Sequence, residues 1–432
     1  LEGDLKAIIS NRIYLDANQG LMEKLSAALT YTIPSPTPRR LPEILKTFNR
    51  INSRVCSIPV GRLDLIPPEY EIIDKRALVP VEFPEFKFSL RESQQLVYNA
   101  VKDNTILNAP VSWGKTFTAI ALAKKLGQKT LIIAHNTMLR DQWIAEVEKT
   151  LNIEAGIIGS SKLNIDPIIV VGNVQSVTKK AKEIAETFGT VILDEMHHVS
   201  ADTFSEIIDK SRARYKIGLS GTLIRKDKKH VIFNDYFGFN TIKPEKENYM
   251  EPTVVIAETE ITLPPGRAWA ARITALEVYN PGYQDLIVAL ADSAAKKGHK
   301  VLVVGSRVDF LKTCTSKTTQ PSTAITGETV FSERTRLLSL LDTEKLNIIF
   351  GTMSIFSEGI SQNSLSCLIL ATPINNESLL TQLIGRVCRL KEGKPAPLVI
   401  DINLKGTTAR TQQQIRVKHY IENGYTIKRL KK

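Results

Sequence analysis

The residues best equipped for chemistry begin with the stretch Ala109-Pro110-Val111-Ser112-Trp113-Gly114-Lys115-Thr116. It follows a short apolar run, Thr105 to Asn108, and precedes Phe117 to Leu126, where apolar residues recur at helical spacing. A strand, a tight turn closing on Gly-Lys-Thr and a helix make a site for a phosphate tail. Backbone N–H groups of the turn and the positive helix end face the anion, Lys115 adds a point charge, and the Thr116 hydroxyl suits a magnesium ligand. Ala109 stands where such turns usually carry their first glycine, and the plain alternative is a helix that happens to start Gly-Lys-Thr. A second group, Asp194-Glu195-Met196-His197, follows the apolar run Val191-Ile192-Leu193. At the carboxyl end of a parallel strand, where ligands bind, Asp194 would hold magnesium directly or through water, and Glu195 would polarise the attacking water. The alternative is that Asp-Glu merely caps the next helix. His197-His198 is not read as a metal pair: adjacent side chains point apart and no third ligand lies at workable spacing. His197 is instead expected to link the site to its neighbours by hydrogen bonding.

These groups need a scaffold, and the hydropathy pattern from Phe88 onward supplies one. Apolar runs at 105–108, 130–134, 168–172, 190–193 and 216–219 alternate with helical stretches. That pattern signals a parallel sheet covered on both faces. Around 225–250 the periodicity fails and charge dominates (Arg225, Lys226, Lys228, Lys229, Lys243, Lys246). An alternating run from Thr253 to Leu263, the break Pro264-Pro265-Gly266 and a further run to Val278 predict a β-hairpin at a domain junction. The alternation then resumes. Strands are expected near 300–305, 323–326, 347–351, 366–371 and 397–402, and helices at 283–297, 332–341, 376–389 and 409–422. The last residues, 428–432, read as a frayed basic tail.

The N-terminal region differs. Arg12 to Leu15 predicts a strand, Leu21 to Leu29 an amphipathic helix, Pro34 to Pro38 a rigid break, Pro42 to Asn49 a second helix, and Val55 to Val60 a strand. This is a small α+β module. Its Arg39, Arg40, Lys46, Arg50, Arg54 and Arg62 suit phosphate contacts or, equally, a solvated basic face. The predicted architecture is therefore α/β: two tandem parallel-sheet domains, 86–250 and 251–432, behind a small α+β domain at 1–85.

With 432 residues, 43% hydrophobic and 24% charged, the chain has the composition of a globular protein of two or three domains. The net charge of +12 points toward a polyanionic partner. No apolar run is long enough to span a bilayer, and no basic-then-apolar leader is present. Cys56, Cys314, Cys367 and Cys388 are widely spaced and read as reduced, mostly buried thiols of a cytoplasmic protein. The chain begins at Leu1 without a methionine, so a few native residues are expected to be missing.

Taken together, these residues resemble the motor core of superfamily 2 helicases. Phe88 to Gln94 resembles the adenine-recognising segment, with Gln94 as base reader, since an amide both donates to and accepts from adenine's edge. Lys115 and Thr116 match motif I, Asp194 to His197 motif II, and Ser220-Gly221-Thr222 motif III. Ala134-His135-Asn136 with Leu139, Gln142 and Trp143 resembles motif Ia, and Gly172 to Ser176 the next strand-contacting motif. Gly351-Thr352 and Glu358-Gly359-Ile360-Ser361 resemble motif V, and Gln382 to Arg389 matches motif VI. On a helix, Gln382, Gly385, Arg386 and Arg389 share one face. The bland alternative is a basic surface helix, which would not need a glycine costing roughly 1 kcal/mol against alanine. The departures are Ser112 for a common glycine, Asn136 for the motif Ia threonine and Ser361 for the motif V aspartate.

The resemblance covers roughly 86–405 and is greatest to the phage-encoded recombination helicases of the UvsW type. It implies RecA-like domains, ATP and magnesium as cofactors, and a domain cycle in which ATP sits between the two α/β units. It implies catalytic roles for Lys115, Glu195, Gln382, Arg386 and Arg389, the arginines as fingers on the γ-phosphate. It also implies nucleotide contacts at Arg91, Gln94, Ser112, Trp113, Gly114, Lys115, Thr116, Asp194, Glu195, Gly359, Arg386 and Arg389, with metal at Thr116 and Asp194. The implied activity is ATP-dependent unwinding and branch migration of forked or Holliday-junction DNA in phage replication and recombination, with no membrane and no obligate protein partner. The rivals are an RNA helicase with the same core, a nucleic-acid-binding module with a vestigial nucleotide site, and the motor of a restriction complex.

Overall fold

A computed structural model describes residues 5–34, 41–198, 201–221, 223, 229–357 and 362–430, without the side chains of 201, 202, 204, 205 and 357. The chain divides into two compact units: Leu1–Pro110 with Gly114–Glu245, and Lys246–Lys432 with Val111–Trp113.

The first unit opens with strands β1 (Lys6–Ile9), β2 (Arg12–Asp16), β3 (Thr30–Ile33), β4 (Glu43–Lys46), β5 (Asn49–Arg50), β6 (Val55–Pro59) and β7 (Glu71–Asp74). Five of them form a sheet in the order β5-β6-β2-β1-β7. Helix Gln19–Ala28 buries Met22 and Leu25, and its Asn18 cap accepts the Leu21 N–H at 2.9 Å. The helix expected at Pro42–Asn49 is absent. Residues 43–46 pair antiparallel with β3, from Thr30 opposite Lys46 to Ile33 opposite Glu43. Tyr31 and Leu45 of this hairpin pack on the core of the sheet that follows, a partner that local periodicity could not reveal.

The N-terminal module is pinned to that next sheet by buried polar groups. Arg12, 5% exposed, pairs with Asp209 at 2.6 Å and donates to the Ser57 hydroxyl at 3.0 Å. Asp235, fully buried in the short helix Phe233–Phe237, accepts from Tyr31 at 2.8 Å, Thr47 at 2.6 Å and Arg62 at 3.1 Å. The backbone comes equally close: a Cβ on Gly61 would stand 2.4 Å from the Asn234 carbonyl oxygen. Arg62, read as suiting either a phosphate contact or a solvated face, is committed to Asp235 and Asp64 instead. Lys46, Arg50 and Arg54 do lie exposed, whereas Arg39 and Arg40 fall outside the described residues.

The α/β sheet of the first unit contains β8 (Thr105–Asn108), β9 (Thr130–Ala134), β10 (Gly156–Gly159), β11 (Lys162–Asn164), β12 (Ile169–Asn173), β13 (Thr190–Leu193), β14 (Tyr215–Ser220) and β15 (Thr241–Ile242). The order is β11-β10-β12-β9-β13-β14-β8-β15, parallel except for the β10–β11 hairpin. Residues 131–134, 169–171, 191–193 and 217 are buried, as strands covered on both faces require.

The second unit carries β16 (Thr253–Thr262), β17 (Lys300–Gly305), β18 (Ser322–Ile325), β19 (Ile348–Thr352), β20 (Leu365–Leu370), β21 (Leu398–Lys405) and β22 (Thr426–Leu430). All seven are parallel, in the order β18-β19-β17-β20-β21-β16-β22. Two expectations are corrected here. The run after Pro252 makes no hairpin: β16 lies between β21 and β22, and the following apolar stretch is helix Trp269–Glu277, burying Ile273 and Leu276 at helical spacing. The basic tail is not frayed through 430, because Thr426–Leu430 pairs with Thr253–Ala257. Lys428 and Arg429 in this strand suit the edge of a sheet, a role that charge alone disguises. The four cysteines are buried and free.

A buried carboxylate closes the second unit. Glu277 is fully inaccessible and accepts the N–H groups of Ser306 at 3.1 Å and Arg307 at 2.9 Å, and the Thr372 hydroxyl. Burial pushes its pKa up from 4.5 to about 7, against those hydrogen bonds. The folded state therefore holds this proton more tightly than the unfolded chain does. Its contribution to stability is complete below 4.5 and is lost as pH rises toward 7, a difference of roughly 3 kcal/mol. Urea midpoints between pH 5 and 8 are expected to fall more steeply in the wild type than in Glu277→Gln. Parallel profiles would exclude Glu277 as the cause.

Candidate active site

The phosphate turn, the paired carboxylates and the motif III serine all leave the carboxyl ends of parallel strands in the first unit. The turn follows β8, the carboxylates follow β13, and β14, ending at Ser220, runs between those two strands. The fold thereby brings together groups 80 positions apart in sequence: Lys115 Nζ lies 3.5 Å from Glu195 Oε1. Helix Lys115–Leu126 starts at Gly114, whose φ of 98° suits glycine. A Cβ there would also come within 2.6 Å of Gln94 Nε2 and 3.3 Å of an Arg91 guanidinium nitrogen. Arg91 and Gln94 thus stand directly against the turn. Gln94 is buried, and its Oε1 accepts the Arg91 N–H at 3.0 Å, starting helix Glu92–Ala100. Phe86 and Phe88 pack on Phe117, ring centroids 5.1 and 6.0 Å apart, fastening the Arg91 segment beside Thr116.

Two non-glycine residues at this site have left-handed backbones, Ser112 (φ 70°) and Glu195 (φ 43°). Such conformations cost of order 1 kcal/mol or more each and cluster where geometry serves function. Ser112 therefore occupies the turn at some strain, where the common glycine would not. Trp113 is buried, and Thr116 is the second residue of its helix.

Asp194, 6% exposed, is held by two donors: the Glu195 N–H on Oδ1 at 2.9 Å and the Trp143 indole on Oδ2 at 2.8 Å. Burial, then the neighbouring Glu195 charge, pushes its pKa up to about 6, while Trp143 and Lys115 oppose that rise. A carboxylate this destabilised gains from a bound cation. Asp194 and the Thr116 hydroxyl are hard oxygen donors of the kind magnesium takes, so the donor set fits the metal. His197 behaves as expected: its Nδ1 lies 2.8 Å from the Ser220 hydroxyl and 3.4 Å from Glu195 Oε2, linking the carboxylates to the end of β14. Asn136 caps helix Thr137–Leu151 by accepting the Leu139 N–H at 2.9 Å, a task that asparagine performs well.

In the second unit, helix Glu377–Val387 carries Gln382, half-buried, and Arg386, 8% exposed. Arg386 Nε donates to the Phe356 carbonyl at 3.2 Å, joining this helix to Met353–Ser357. Arg389 is not on the helix face expected for it. The helix ends at Val387, and the chain pairs with 248–250 instead: Arg389 bridges Tyr249, and Leu390 donates to the Asn248 carbonyl at 3.1 Å. Thr222, Glu358, Gly359, Ile360 and Ser361 lie outside the described residues.

Comparison with known proteins now bears on this geometry. The family described as "Type III restriction enzyme, res subunit" matches residues 87–225, and the "Helicase conserved C-terminal domain" matches 283–391. The "Probable helicase D10" of Escherichia phage T5 is 42% identical over 431 residues, covering 98% of this chain and 95% of that protein. The chain belongs to the superfamily 2 helicases. This helicase lies on their UvsW-like branch: the "ATP-dependent DNA helicase uvsW" of Enterobacteria phage T4 is 28% identical, covering 76% of this chain and 70% of its own. In fold it matches S. cerevisiae Dbp5 bound to RNA and ADP BeF3, with TM-score 0.56, 12% identity, and 78% and 89% of the two chains covered. Its two parallel-sheet domains are RecA-like, and family membership makes it a nucleotide-hydrolysing enzyme that uses ATP and binds nucleic acid. Among the described residues no helix is long and apolar enough to cross a membrane.

Sequence reasoning missed the bond from Trp143 to Asp194. Trp143 entered as one letter of the motif Ia resemblance. The available signal was a tryptophan, one of three in 432 residues, inside a polar helix beside a covered sheet. A buried indole needs an acceptor.

Proposed function

We propose that this helicase is a DNA-stimulated ATPase that unwinds and branch-migrates forked or four-way DNA in phage replication and recombination. The observation that carries the reading is Lys115 poised against Glu195 beside the buried Asp194, in a chain similar along its length to phage helicases. Lys115, with the N–H groups of the Ser112-Trp113-Gly114 turn, binds the phosphates. Thr116 and Asp194 hold magnesium, which when bound neutralises phosphate charge. Glu195 orients and polarises the attacking water, and Gln382, Arg386 and Arg389 act on the charge that develops at the transferred phosphate. Arg91 and Gln94 bind the base, and Gly359 contributes to the nucleotide contacts. The working division is 1–85 as a DNA-binding module and 86–250 and 251–432 as the two motor domains.

A second reading has its own support. The "Putative ATP-dependent RNA helicase L396" of Acanthamoeba polyphaga mimivirus is 26% identical, with 81% of this chain covered. The deciding experiment measures ATP turnover and unwinding with forks, Holliday junctions, linear duplex and RNA of equal length at stated salt, because phosphate contacts make affinity salt-dependent. Forks and junctions are expected to stimulate most. Equal stimulation by linear duplex would remove the branched-substrate claim, and preference for RNA would favour the second reading.

A further inference from the structure

We infer that Trp143 is a positioning residue that couples nucleic-acid binding at the start of helix Thr137–Leu151 to the metal-binding carboxylate of Asp194. This rests on the reading of Asp194 as the metal ligand and of motif Ia as a strand contact. The path is short and contains no loop. At the helix start, Asn173 Nδ2 donates to the Thr137 hydroxyl at 3.4 Å. Arg140, 4% exposed, donates to the Ser160 hydroxyl at 3.1 Å. The first turn is therefore tied to the last residue of β12 and to the turn of the β10–β11 hairpin. Arg140 and Trp143 are three residues apart and share one helix face. From Thr137 to Trp143 the helix rises about 9 Å. There the indole, 2% exposed, places its N–H 2.8 Å from Asp194 Oδ2.

A tryptophan serving only the core would be satisfied by any backbone carbonyl. This one instead fixes the second oxygen of a carboxylate whose first oxygen is already engaged by its own neighbour's N–H. Without the indole donor, Asp194 can rotate about its terminal torsion. With it, any shift of the helix on a bound strand is passed to the carboxylate as a rigid displacement. Linkage then requires that strand and Mg2+-nucleotide alter each other's affinity by the same factor.

The test is anisotropy of a labelled single strand on the full chain, with and without Mg2+ and the non-hydrolysable analogue AMPPNP. In the wild type, strand affinity is expected to change about 5-fold or more with Mg2+-AMPPNP. In Trp143→Phe, which keeps an apolar ring and loses the donor, the change is expected to shrink below about 2-fold. Should Trp143→Phe fail to fold, the wild-type chain labelled with 5-fluorotryptophan carries the same test. Its Trp143 resonance, assigned by elimination with Trp113→Phe and Trp269→Phe, is expected to move on adding strand alone and again on adding Mg2+-AMPPNP. Full coupling in Trp143→Phe, a fluorine resonance indifferent to strand, or wild-type strand binding indifferent to nucleotide would each overturn the role of Trp143 and leave the substrate reading standing. A wild-type chain that binds neither DNA nor RNA would overturn both.

Discussion

Lys115→Ala is expected to lower nucleic-acid-stimulated ATP turnover by roughly a hundred- to a thousandfold, the loss seen when one preorganised donor is removed from a transition-state site. Lys115 Nζ sits 3.5 Å from Glu195 Oε1, and Asp194 is the next residue, so the lysine faces two carboxylates as well as any incoming phosphate. Removing it leaves those carboxylates without their nearby cation while phosphate binding loses its point charge. Both effects weaken nucleotide binding. Glu195→Gln should separate the roles: a fluorescent nucleotide still binds, but turnover falls by a comparable factor, because the water has lost its base and the phosphates keep their lysine. Steady-state turnover, nucleotide binding and near-ultraviolet circular dichroism on all three proteins make the check. Wild-type turnover in Lys115→Ala would remove the site assignment.

Asp235→Ala should have the largest effect on stability. The residue is fully buried and accepts from Tyr31, Thr47 and Arg62, one strand and two connecting segments of the N-terminal module. Burial raises its pKa, and those three partners hold that rise down. Deleting the carboxylate strands three donors in a dry interface and costs about 3 kcal/mol or more, the usual penalty for breaking a buried pair from one side. The loss is local, so urea denaturation should gain an early step in which 1–74 becomes protease-sensitive before the α/β sheet unfolds. Asp235→Asn keeps the shape and two acceptor directions, and should fall between. A single transition at the wild-type midpoint would show that the module is held by other contacts.

What could be read along the chain was whatever depends on local order. The Gly-Lys-Thr turn, the Asp-Glu pair after three apolar residues and the parallel strands of both sheets are properties of consecutive residues, since a covered strand needs an apolar run and a phosphate turn needs a glycine at its closing position. Length and periodicity likewise determined two α/β domains behind a smaller module. The misses share one cause. Residues 43–46 became a strand because Thr30–Ile33 offered them an edge, β16 found β21 and β22 rather than a hairpin mate, and 426–430 became the last strand of a sheet begun at 253. Arg62 looked like a ligand for phosphate until Asp235, 173 positions away, appeared beside it. Arg389 left its helix to pair with 248–250. Trp143 and Asp194 are 51 positions apart and meet because α-helical and β-strand geometry aim them at the same point. Which groups are proposed to carry the chemistry thus follows from residue type and spacing. Which of them touch, and which are already spoken for, was decided by tertiary packing, because a hydrogen bond or ion pair between distant residues leaves no mark on the hydropathy of either.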